Sequence, residues 1–340
     1  MIPRHRTLAG LVLVVLFASR AQAAPRTLRF ATLAPDGSMW ARQARSFARE
    51  VEEASHGQLR VKWYFSGADG DERAQLRYLR ERKLDGMASA VCGSLAPALK
   101  VTSVVGLFQA RVEGTYILRK LRPLIDKQMR DNGVTDLGLG GFGEAVLFSR
   151  TPVRSLAEMQ RGTYFFWDMH PVGVEQLTLM GVHVKALSVA DAGRAYDAGT
   201  IDGFVMSPTA ALAFQWSTQT KYFNDLQLDF TPACLVVSNA TMDALPIEQQ
   251  RILHVAGERL ATLFSQAGEL QENELIHHLF EHQGLQRITV DASFRDEFYS
   301  AARKARAALP PDAVPADALR TVLDLLADYR AELRFRGSVP

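Results

Sequence analysis

Arg161–Ser207 reads RGTYFFWDMH PVGVEQLTLM GVHVKALSVA DAGRAYDAGT IDGFVMS. Thr163–Trp167 is a short β-branched and aromatic run, the signature of a buried strand. Pro171 stands where a first helical turn tolerates proline, and Gly181 stands where a helix stops. His183–Leu187 alternates as a strand does, Ser188 can cap a second helix, and Gly199 ends it. Ile201–Met206 is a third strand. The spacing predicts β-α-β-α-β, which requires parallel strands joined by right-handed crossovers.

The same plan occurs earlier in the chain. Leu28–Leu33 is strand-like, and Ser38 caps a helix whose apolar face is Trp40, Ala44, Phe47, Ala48 and Val51. Gly57 ends that helix and Leu59–Phe65 alternates. A charged helix over Asp71–Lys83 leads to Leu84-Asp85-Gly86-Met87, which matches Ile201-Asp202-Gly203-Phe204 in chemistry and place. Two copies of one α/β unit predict two similar lobes, and ligands of open α/β sheets sit beyond the carboxyl ends of the strands. Two such lobes face to face would share a cleft.

The 340-residue length fits roughly two domains. At the N-terminus, Arg4 and Arg6 precede the apolar run Leu8–Ala18, and Ala21-Gln22-Ala23 offers small residues for cleavage. This predicts a secretory signal peptide over 1–23 and a soluble periplasmic chain from about Ala24. Arg4, Arg6 and Arg20 are three of the 39 basic residues, so removing 1–23 leaves 36 against 37 acidic. A near-neutral chain of mixed charge argues against general nucleic-acid binding. Cys92 and Cys234 are the two cysteines. The compartment permits a disulfide, but two cysteines make no framework and small buried thiols are common, so they are read as unpaired.

The remaining segments extend this plan. Glu113–Gly133 is expected to be helical, Phe230–Ser238 a long strand able to return to the first lobe, and Pro246–Gly284 a continuous helix that can brace both lobes. The predicted division places 24–150 plus about 231–260 in lobe I, and 151–230 plus about 261–340 in lobe II. Thr151-Pro152-Val153 is the expected crossing.

Two motifs compete with a binding role. Gly138–Gly143 satisfies G-x-G-x-x-G but is followed by a strand-like segment instead of a helix, so its glycines are read as a bend between strands. His278-Leu279-Phe280-Glu281-His282 satisfies the inverted zinc-peptidase pattern, the basis of an alternative reading as a zinc-dependent hydrolase. A third ligand would have to come from elsewhere, and a solvated helix face is the better explanation of the pattern. Asp36, Asp71 and Asp168 are better explained as loop and capping residues than as catalytic carboxylates.

Gly70-Asp71-Glu72-Arg73 before a helix, Leu84-Asp85-Gly86, Gly106-Leu107-Phe108, Ser149–Val153 before Ser155-Leu156-Ala157-Glu158-Met159, Ile201-Asp202-Gly203 followed by Pro208, and Lys221-Tyr222-Phe223 follow one another in an order and spacing that resembles the DctP-type periplasmic solute-binding proteins of TRAP transporters. The likeness covers nearly all of the chain after residue 23. It implies an α/β, two-lobe periplasmic-binding-protein fold, each lobe a mostly parallel sheet flanked by helices, with crossing strands and a long bridging helix. It also implies ligand capture by lobe closure and delivery to membrane permease subunits, with no chemistry, cofactor or metal. The family usually holds an organic acid with an arginine in a K-I-R-V-like strand, and Phe166 occupies that place here. A second family arginine aligns with Ala145, beside Glu144. A ring cannot replace a bidentate guanidinium–carboxylate pair. The ligand is therefore expected to be largely apolar or neutral, held by Phe166, Trp167, Asp168 and Met169, with Glu144, Ala145, Met206, Ser207, Trp216, Asp71 and Trp40 around them.

Overall fold

The computed structural model describes residues 24–337; the expected signal peptide over 1–23 lies outside the described residues. The first unit runs β1 (Arg26–Ala31), α1 (Met39–Ala54), β2 (Leu59–Tyr64), α2 (Glu72–Arg80) and β3 (Gly86–Ser89). Then follow α3 (Arg111–Asp131), β4 (Val134–Glu144), β5 (Val146–Ser149) and the short α4 (Leu156–Met159). The second unit is β6 (Thr163–Trp167), α5 (Pro171–Leu179), β7 (His183–Leu187), α6 (Val189–Asp197) and β8 (Gly203–Met206). The chain closes with α7 (Pro208–Ala213), β9 (Tyr222–Asn224), β10 (Phe230–Ser238), α8 (Asn239–Asp243), α9 (Ile247–Glu274), a π-helical turn (Leu275–Leu279), α10 (Phe280–His282), β11 (Gln286–Ile288), α11 (Ala292–Ala307) and α12 (Ala316–Gly337).

The duplicated units fold alike. Strand order is β2-β1-β3 in one sheet and β7-β6-β8 in the other, all parallel. Each unit is completed by an antiparallel strand, β10 beside β3 and β5 beside β8. Ser38 accepts from the Ala41 N–H and Asp71 from the Ala74 N–H, so both caps satisfy donors that a helix start leaves open. Ser188 sits at the start of α6, but its hydroxyl donates to Asp191 instead of capping. Gly181 and Gly199 take positive φ (77° and 67°), which ends α5 and α6 without strain.

The chain changes sheet at Ala145, between β4 and β5, earlier than the expected crossing at Thr151–Val153. It returns between β9 and β10. The two crossings pair: Ala145 N–H donates to Asp229 O (3.3 Å) and Leu228 N–H donates to Ala145 O (2.9 Å). α12 also departs from expectation. Its Ala318, Val322 and Leu326 bury against Ile117, Leu121 and Ile125 of α3, beside the first sheet, and Arg330 pairs with Glu113 at 2.6 Å. The helical run after Pro246 does join both halves. α9 packs on β4 and α1, while Leu275 and Phe280 enter the core of the second sheet.

The glycines of Gly138–Gly143 lie within β4, an unbroken strand of 11 residues whose pairing with β10 shifts twice. They are not a junction between strands. Their bare faces let α9 approach: a Cβ on Gly138 would strike the Gly257 carbonyl oxygen, and one on Gly140 would strike Ser265 Oγ. Because the obstacle at Gly138 is helix backbone, Gly138→Ala is expected to cost roughly 2 kcal/mol in urea unfolding. An unchanged midpoint would mean that α9 yields freely.

Cys92 and Cys234 form a disulfide, against the expectation of free thiols (Cα–Cα 6.0 Å). Cys234 lies opposite Ser89 on the neighbouring strand, and Cys92 follows the end of β3, so antiparallel pairing of β10 with β3 brings the sulfurs together. They are 142 positions apart in sequence, and no local pattern announces such a pair.

Candidate functional site

A cavity of ≈ 160 Å³ opens beyond the carboxyl ends of the parallel strands, where open α/β sheets place ligands. Thr32–Ala34 follow β1, Ser89 ends β3, Phe166 and Trp167 end β6, Met206 ends β8 and Ser207 follows it; all line it. The paired crossings contribute Ala145 and Asp229 to the wall, and α9 contributes Leu260, Ala261 and Phe264.

Side chains of both lobes meet across this space. Trp40 of α1 lies 4.6 Å from the Phe142 ring and 6.4 Å from those of Phe214 and Phe264 (centroid distances), so both lobes and the bridging helix meet at one indole. At the mouth, Arg73 of α2 donates to Asp168 Oδ2 across the gap (2.7 Å). Half-exposed as it is, this ion pair adds little stability but links the two lobes across the cleft.

Among the expected site residues, Phe166, Trp167, Ala145, Met206, Ser207 and Trp40 share the cavity wall. Asp168 is held by Arg73 instead, and Asp71 is the cap of α2. Trp216 lies behind the wall, stacked 4.6 Å from Phe204 and edge-on to Phe165 at 5.2 Å. Met169 packs against the core around α3. Glu144 accepts from Gln227 Nε2 at 2.8 Å, away from the lining, and burial pushes its carboxyl up to about 7.

Phe166 is 3% exposed. Its ring fits against Gly173 of α5, where any side chain would collide with it. Among the described lining residues there is no arginine or lysine. Arg111 is committed elsewhere, to Glu272 (2.6 Å) and the Gly141 and Ser265 carbonyls.

The ionisable residues of the wall, Glu72, Asp229 and His170, were not anticipated from sequence. Glu72 occupies the buried stripe Glu72, Gln75, Leu76, Leu79 of α2, so a carboxylate on an apolar helical face was the available signal. Burial, reinforced by Asp71 and Asp168, pushes Glu72 up to about 8. Burial likewise pushes Asp229 up to about 7, against the Ala145 N–H and the Thr231 hydroxyl. Burial drives His170 down to about 4 although Asp168 opposes it, and its Nδ1 meets Ser103 Oγ at 3.0 Å.

These shifts have a sign that stability can report. With folded pKa values above the unfolded ones, Glu72 and Asp229 keep protons that the unfolded chain releases, so ligand-free stability falls from about pH 4 to about pH 8. His170 acts oppositely, losing stability below about pH 6.5. Glu72→Gln should therefore gain stability relative to wild type as pH rises from 5 to 8, measured by urea midpoints at each pH. A difference that stays constant would place Glu72 in contact with solvent.

The inverted zinc-peptidase pattern does not assemble a site. A π-helical turn spans Leu275–Leu279, and His278 and His282 are exposed. Among the described residues no group of three or more His, Cys, Asp or Glu could hold a metal ion. Nor is any described helix long and apolar enough to cross a membrane.

Residues 30–308 match the model of the DctP family, bacterial extracellular solute-binding protein, family 7. The chain is 23% identical over 214 residues to the uncharacterized protein YiiZ of Salmonella typhimurium, covering 61% of this chain and 65% of that one. It thus spans just under two thirds of the length of the curated relatives it matches. A TRAP periplasmic solute-binding protein of Haemophilus influenzae with bound L-gulonate superposes with TM-score 0.81 at 16% identity, covering 89% of this chain and 99% of that one. DctP7, a Bordetella pertussis extracytoplasmic solute receptor binding pyroglutamic acid, gives 0.79 at 17%, covering 88% and 99%. With the family model spanning most of its length and its two-sheet fold shared with such receptors, the chain belongs to the bacterial extracellular solute-binding proteins of family 7.

Proposed function

We propose that this protein captures a largely apolar or neutral ligand between its lobes in the periplasm and delivers it to the membrane permease of a TRAP-type transporter. Closure turns about Ala145 and the 225–229 crossing. Family membership supports the transport role, and the disulfide suits an oxidising compartment. The observation that carries the ligand class is the wall itself: Trp40, Phe142, Phe166, Trp167, Phe214 and Phe264 line it, and no cationic side chain does among the described residues. The two relatives above are described with acids; an acid here would be buried without a guanidinium partner, beside carboxyl groups. Affinity comes instead from desolvating apolar ligand surface, at roughly 25 cal/mol per Å².

The test is titration calorimetry with gulonate, together with native mass spectrometry and extraction of any small molecule that co-purifies. No measurable gulonate binding and a neutral or apolar co-purified molecule are expected. Micromolar gulonate affinity would overturn the ligand class.

A further inference from the structure

We propose that the ligand carries a basic nitrogen on its apolar body, and that Glu72 receives this ammonium group inside the aromatic cage. This inference rests on the reading of the cleft as a ligand site.

Glu72 is 3% exposed and lies on the cavity wall. Its own backbone N–H donates to its carboxyl, and no arginine or lysine stands beside it on the described wall. Arg73, the adjacent cation, is turned to Asp168 at the mouth. The charges around Glu72 are Asp71 and Asp168, both negative, while His170 is held neutral by burial. Asp229 adds a second buried acid to the wall. A cation entering this space meets two acids whose ionised forms would attract it, and seven phenylalanine and tryptophan side chains line the same cavity.

An ammonium group suits both features. It forms a charge-assisted hydrogen bond to a carboxylate, and ring faces attract it when it is desolvated. A carboxylate ligand gains no such ion pair, and like charge opposes it wherever Glu72 or Asp229 ionises. Glu72 holds its proton in the empty cavity near neutral pH, where an alkylamine of pKa near that of lysine, about 10.4, is already protonated. Binding then breaks the Glu72 O–H bond, passes that proton to the buffer, and leaves a carboxylate–ammonium pair.

The probes are 2-phenylethylamine, 2-phenylethanol and 3-phenylpropionate, titrated calorimetrically into the full chain at pH 7 in phosphate and in Tris. The amine is expected to bind about tenfold tighter than the alcohol. It should release up to about one proton, read from the difference between buffers. The alcohol should release none. Glu72→Gln should abolish the release and bring amine and alcohol affinities together. If amine and alcohol bind equally, or the amine releases no proton, the inference fails while the apolar reading stands; the wild-type proton count decides this even if the variant does not fold. Tightest binding of 3-phenylpropionate would overturn both. Failure of all three probes to bind would overturn the aromatic cage.

Discussion

Phe166→Arg is expected to destabilise the ligand-free protein by roughly 3–5 kcal/mol and to weaken an apolar ligand roughly 100-fold. The ring is buried among Tyr164, Leu177 and Val205 on one side and borders the cavity on the other. Gly173 leaves a space shaped for a flat ring, and a guanidinium there loses both the packing and its water. The same charge should let 3-phenylpropionate bind more tightly than it binds wild type, through bidentate pairing. Phe166→Leu separates the effects, since it shrinks the wall without charging it. Urea midpoints and calorimetry of the three proteins provide the readout. Wild-type stability and selectivity in the arginine variant would remove Phe166 from the ligand surface.

Replacing both Cys92 and Cys234 by serine is expected to cost roughly 4 kcal/mol. The bridge closes a loop of 142 positions, and cross-linking so long a loop removes much of the unfolded chain's freedom. The bond also ties the segment after β3 to β10 at the cavity wall, which Cys234 lines. Loosening it should therefore weaken ligand binding as well as folding. The comparison is guanidinium unfolding of oxidised wild type, reduced wild type and the double variant, with thiols counted by mass. Coincident curves for all three would show that the cross-link contributes nothing.

The β-α-β-α-β unit was legible in Arg161–Ser207 because its signals are local: alternation, caps, and glycines at helix ends. Its earlier copy was legible for the same reason, and both sheets show the strand order that the duplication implies. Phe166, Trp167, Ala145, Met206, Ser207 and Trp40 could be placed near one another because strand ends converge in such folds. What alternation could not tell was which polar groups face the cavity. Asp168 and Asp71 follow or precede regular elements as a ligand-binding residue would, yet one is held by Arg73 from the opposite lobe and the other by its own helix.

The chain's sequence by itself determines two α/β lobes and a long helix between them. Tertiary structure decides the disulfide, the crossing at Ala145, the seat of α12 on α3, and the placing of Glu72 and Asp229 on the cavity wall. The physical reason is sequence distance. Caps and periodicity act over a few residues, whereas strand exchange joins positions more than a hundred apart, and burial, which sets the protonation of those carboxyls, exists only once both lobes are packed.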